Sequence, residues 1–142
     1  MSTIERFNTV EKALVDIAKS VQGIQSVSVA EHSGVDVFPR IHVWARRGRS
    51  QDLKVSGTKR QHRWTFEYVI ETMGGEPRKS YEEAKRIHWA IYDTIMADRT
   101  LGIKEFTVFA HPSAEFERVE GRAGTGDYGH MWIQRVEVEL EA

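Results

Sequence analysis

The sequence predicts an α+β fold: an antiparallel (mixed) sheet of about four to five strands with two helices packed on one face. Three observations predict it. Two stretches repeat apolar residues every three or four positions, as amphipathic helices do. Four others alternate apolar and polar residues, as half-buried strands do. Their order is helix, hairpin, helix, hairpin, and strands grouped in hairpins favour antiparallel pairing. The 142 residues read as a single domain, 1–142, with a flexible basic hairpin loop at 46–63.

Phe7, Val10, Leu14, Ile17 and Val21 form the apolar stripe of the first helix, with Gly23 as its stop. Val27, Val29, Val35 and Val37 then mark a short strand or an irregular approach. In 38–46, Ile41, Val43 and Ala45 take one side and His42 and Trp44 the other, so this is a strand, with Pro39 near its start. His62, Trp64, Phe66, Tyr68 and Ile70 alternate against Arg63, Thr65, Glu67 and Glu71 in the next. Ser80 and Glu83 match a capping box, which places the start of the second helix at Ser80. Ala84, Ile87, His88, Ile91 and Ile95 are its apolar face, and 98–102 ends it. A strand over 106–111, continuing past Pro112 towards Phe116 and Val119, and another over 131–140 close the domain. Trp132, Val136, Val138 and Leu140 share a face of the last strand, and the glycine-rich 121–129 joins the two.

Net charge is −1, yet its distribution is uneven. Residues 46–63 hold seven basic residues and one acid, leaving 13 basic and 20 acidic residues elsewhere. Such separation suits head-to-tail self-association or a surface with two unlike partners. The chain has no cysteine, so disulfides and thiolate chemistry are excluded. The opening MSTIERFNTVEK lacks the apolar core of a signal peptide, and no apolar run approaches the roughly 20 residues that cross a bilayer. The expectation is a soluble chain made in the cytoplasm, with no membrane partner.

Reactive chemistry is sparse in the pattern. Gly124-Thr-Gly126 precedes a strand instead of a helix and lacks Gly-Lys-Ser/Thr, so it reads as a hairpin tip and not a phosphate loop. The histidines at 32, 42, 62, 88, 111 and 130 show no tight ligand spacing; His42 and His62, on neighbouring strands, are the pair that could meet. No nucleophile elbow occurs. The expectation is no enzyme, no cofactor and no metal.

The candidate contact residues are therefore charged and aromatic. Arg46, Arg47, Arg49, Lys54, Lys59 and Arg60 make the basic arm, and Glu137, Glu139 and Glu141 alternate along the last strand. Trp44 lies opposite the apolar face of its strand and Trp89 at the rim of its helix stripe, where core packing and a subunit interface are both open. The arm holds no interleaved aromatic residues, so a single-strand stacking platform is not indicated.

The order of elements, with Phe38-Pro39-Arg40-Ile41-His42-Val43, the strand Trp64 to Glu71, the Tyr81-Glu-Glu-Ala helix, the Asp98-Arg-Thr-Leu-Gly102 turn and a final strand of alternating Val and Glu, resembles the tail terminator, or tail completion, proteins of long-tailed bacteriophages. The resemblance covers nearly the whole chain and rests on element order and short motifs. It implies a structural virion protein of the tail neck region, assembled in the host cytoplasm as a ring, usually hexameric. The ring caps the head-proximal end of the tail tube, ends tube polymerisation and docks the head-tail connector protein, while DNA passes through its lumen without sequence recognition. It implies no catalytic residues. On this reading the basic arm and the acidic last strand are the two complementary patches that a closing heterologous ring requires. The reading of a different class is a non-specific nucleic-acid-binding module that uses the 46–63 loop.

Overall fold

The computed structural model describes residues 1–30, 37–52, 60–74, 76–122 and 128–141. The elements are α1 (Thr3–Ser20), β1 (Ser26–Val29), β2 (Arg40–Asp52), β3 (Arg60–Gly74), α2 (Pro77–Ala97), β4 (Val108–Arg122) and β5 (Tyr128–Glu141). They form one five-stranded sheet in the order β1-β2-β3-β5-β4 with the helices packed against it. The predicted α+β class is the observed one. β1 runs parallel to β2, and the other neighbouring pairs are antiparallel, so the sheet is mixed.

Each element has a local cause. The Ser2 hydroxyl accepts the Glu5 N–H at 3.2 Å and the Glu5 carboxylate accepts the Ser2 N–H at 3.0 Å, closing a capping box at the start of α1. Val10, Leu14, Val15 and Ala18 are its buried face. α2 begins three residues before the predicted start, at Pro77, whose missing N–H costs nothing in a first turn. Ser80 is thus no N-cap; it is buried, and its hydroxyl contacts the Pro77 carbonyl and His130 Nδ1.

The helices bury their stripes on the face made by Ile41 and Val43 of β2, Trp64, Phe66, Tyr68 and Ile70 of β3, Val108 and Ala110 of β4, and Trp132, Val136, Val138 and Leu140 of β5. Hydrogen bonds pin them to the sheet: Tyr68 donates its hydroxyl to the Leu14 carbonyl at 2.6 Å, Thr72 to the Ser80 carbonyl at 2.8 Å, and Ser80 of α2 meets His130 of β5. α2 carries the chain from β3 over to β4, the outer strand opposite the β1 edge, and β5 returns between the two.

The reading of 46–63 as a loop needs correction. β2 and β3 continue their ladder through Arg49↔Arg63 to Asp52↔Arg60, so the described part of the basic stretch is a hairpin of paired strands. Residues 53–59, with Lys54 and Lys59, lie outside the described residues.

Candidate interaction surface on the open sheet face

The second face of the sheet has neither helix packed on it among the described residues. Its surface follows from strand parity. His42 and Trp44 project there from β2, Arg63, Thr65, Glu67, Val69 and Glu71 from β3, and Ile133, Arg135, Glu137 and Glu139 from β5.

A bulge in β2 alters that parity. Ala45 is opposite Phe66 and Arg47 opposite Thr65, so Arg46 is an extra residue on the strand. Before it, the odd positions Ile41, Val43 and Ala45 match the core-facing Ile70, Tyr68 and Phe66. After it, Gly48 matches the core-facing Trp64, while Arg47 and Arg49 match the outward Thr65 and Arg63. The inserted residue therefore puts Arg46, Arg47 and Arg49 together on the open face. Gly48 takes the inward place because a Cβ there would stand 2.7 Å from Trp64 Cδ1.

Two carboxylates organise the centre of this face. Glu67, only 6% exposed, accepts the Trp44 indole N–H at 3.0 Å, Arg46 Nη1 at 3.0 Å and Arg135 Nε at 3.2 Å. Burial pushes its carboxyl up, but the Trp44 and Arg46 donors, with the charges of Arg46 and Arg135, outweigh that and hold it below the ordinary carboxylate value. Arg135 also reaches Glu117 of β4 at 3.1 Å. One strand-turn further on, Glu71 accepts Arg40 Nε and Nη2 at 3.1 and 2.8 Å and faces His42 Nε2 at 2.8 Å. These networks tie four strands together and satisfy the two carboxylates at the centre of the face.

The sequence candidates fall into distinct places. Arg46 and Trp44 belong to the Glu67 network. Arg47 and Arg49 have no carboxylate partner among the described residues. Arg60 opens β3 at an exposed position. Glu137 and Glu139 flank Arg63 of the same chain, at 3.8 and 3.0 Å, and Glu141 is exposed at the end of β5. The basic arm and the acidic strand, the two candidate patches of a ring contact, are thus neighbours on one face of one subunit, joined through Arg63. Trp89 is 37% exposed on α2. His42 and His62 do not meet, because His42 is opposite Val69 and His62 opposite Ser50. Among the described residues no three His, Asp or Glu side chains are grouped to hold a metal ion.

Sequence reading missed Glu67, Glu71 and Arg135, which alternation assigns to a solvated side. Their one sequence signal is the spacing Trp44/Arg46 against Glu67 and Glu71 on neighbouring strands, which becomes informative only once register is known. A separate aromatic group lies at the edge of the other face: Phe116 stacks on Trp132 with centroids 4.1 Å apart, and the buried His88 ring meets Trp89, Phe116 and Trp132. The chain matches no protein-family model, and no curated protein matches it.

Proposed function

We propose that the chain is a structural subunit that closes into a ring with copies of itself, caps the head-proximal end of a phage tail tube and offers a docking surface to the head connector. The order of elements that carries the family resemblance supports this reading, and so does the charged open face.

The observation that carries it furthest is the outer strand. β4 is 15 residues long and last in the sheet order, so its outer edge has no strand partner among the described residues. Phe109, Phe116 and Val119 along it are 41%, 42% and 51% exposed, and Trp89 stands beside Phe116's partner His88. A long edge with exposed aromatic and branched residues is a surface that isolated proteins usually cover or charge. A neighbouring copy would cover it, and Pro112 with the irregularity between Pro112 and Phe116 interrupts the ladder, which limits open-ended strand addition. The ring surrounds the DNA path, and its tube-facing and connector-facing sides must differ for growth to stop.

Electron microscopy of the purified protein mixed with growing tail tubes tests this. Ring-shaped caps at one tube end with arrested elongation are expected. Tubes that lengthen unchanged, beside a protein that sediments as a monomer at every concentration, overturn the reading.

A further inference from the structure

The bulge at Arg46 builds a recess of about 170 Å³ on the open face, lined by Arg47, Gly48, Arg49, Arg63, Thr65 and Glu137. Three features of it are unusual for a surface that only folds. Arg49 and Arg63 are direct cross-strand partners, an arrangement of like charges that destabilises a sheet. Arg47 and Arg49 have no carboxylate partner among the described residues. Arg63 Nε is enclosed and has no hydrogen-bond partner, although Nη2 of the same guanidinium reaches Glu139 at 3.0 Å.

We propose that this recess binds a phosphodiester monoanion of a nucleic-acid backbone. Guanidinium groups match phosphate oxygens in geometry and charge, and the Thr65 hydroxyl supplies a further donor on the same wall. The nearby carboxylates select the charge of the guest. Three arginines stand against Glu137 and Glu139, which leaves one positive charge, matched by a diester and exceeded by a phosphate dianion. Glu137 is 3.8 Å from Arg63 Nη1, too far for a hydrogen bond, so it sets the field without filling the donors. Among the described residues no base-reading element borders the recess, so binding is taken as independent of sequence. This site does not rest on the ring reading: a monomer would carry it equally.

The test measures anisotropy of a short labelled DNA duplex titrated with the protein at rising sodium chloride, for the parent, for Arg47→Gln with Arg49→Gln, and for Arg78→Gln with Lys79→Gln. The last pair removes the same charge from exposed positions at the start of α2. The recess variant is expected to bind at least about tenfold more weakly, since it loses the charge-assisted hydrogen bonds of two guanidinium groups to the phosphate. Its log–log salt slope should fall by about one, the mark of one lost phosphate contact, while the α2 variant stays near the parent. In chloride alone the recess variant should melt no lower than the parent, because like charges have been removed; if it does not fold, Arg49→Gln alone carries the same test. A parallel melting series in sodium phosphate at matched ionic strength separates the sources. Stabilisation by inorganic phosphate that the variant loses, without duplex binding, keeps the recess as an oxyanion site but overturns the nucleic-acid assignment. Equal losses in both variants, or no response to either anion, overturn the site.

Discussion

Tyr68 is fully buried, and its hydroxyl donates to the Leu14 carbonyl at 2.6 Å across the gap between β3 and α1. Burial raises its pKa well above the ordinary phenol value, so the ring stays neutral and its hydroxyl remains a donor. Tyr68→Phe keeps the ring and removes one interior hydrogen bond, and should cost about 1–2 kcal/mol in urea unfolding with an unchanged slope. His88 makes a different case. It is fully buried among three aromatic rings, and burial lowers its pKa to about 4, against a smaller opposing pull from the Ala114 backbone. The unfolded chain therefore binds this proton more readily than the native one. The stability held with His88 neutral is complete above about pH 6.5 and drains away as pH falls towards 4, by about 3 kcal/mol in all. Glu67, whose pKa is also lowered, loses its contribution on acidification too, so the comparison must isolate His88. His88→Phe should flatten the difference between unfolding free energies at neutral and acid pH relative to the parent; an unaltered difference would show that the ring titrates in contact with water.

At the scale of elements, the bulge in β2 is the feature on which the open face depends. Gly48 permits the Trp64 indole to lie against the strand just beyond the inserted Arg46. Gly48→Ala would bring a Cβ to 2.7 Å from Trp64 Cδ1, a carbon of a buried ring that cannot swing aside freely. A loss of about 1–3 kcal/mol is expected from thermal or urea unfolding, and the variant should also weaken any ligand of the Arg47 and Arg49 recess. Much of this architecture was legible beforehand. Alternation in 38–46 and 62–71 located two strands and sorted their faces, because apolar residues fall mainly at one parity of each, with Phe38, Trp44 and Val69 at the other. The extension of the hairpin was not legible, since Arg46 to Asp52 contains no apolar residue to report a parity, and a twisted ladder of arginines has the composition of a loop. The capping-box pattern at Ser2–Glu5 closes the start of a helix, and the same pattern at Ser80–Glu83 does not. Pro77 already supplies a start for α2, which leaves Ser80 one turn inside it. The Glu67 network was hidden for a similar reason: a carboxylate at an outward parity reads as solvated until cross-strand register brings Trp44, Arg46 and Arg135 to it.

At the scale of the whole molecule, the placement of charge changes which surface can join copies. Residues 46–63 are strongly basic in sequence, but Arg46 is held by Glu67 and Arg63 by Glu139 within the chain. Reversing Arg46 to Glu would set two carboxylates against each other in a half-enclosed site and unsettle the sheet, so its effect on assembly would be confounded with folding. The β4 edge offers a cleaner handle. Val119 is opposite Met131 and Phe109 opposite Glu139, both on the open face of the outermost strand. Val119→Lys with Phe109→Ser removes exposed apolar surface and adds a charge where a neighbouring copy would pack, while core residues keep their places. Fold stability should move only modestly, by about 1 kcal/mol, Phe109 also losing its stacking with the Arg99 guanidinium at 4.2 Å. Self-association measured by sedimentation should weaken by about tenfold or more, since one desolvated charge at an interface costs at least about 1.4 kcal/mol. A variant that melts like the parent and still assembles at the same concentration would exclude the β4 edge as the joining surface. The proposed ring would then have to close through the charged face between β2 and β5, where the same Arg47 and Arg49 that suit a phosphate would instead meet a neighbour's carboxylates, and salt would dissolve the assembly.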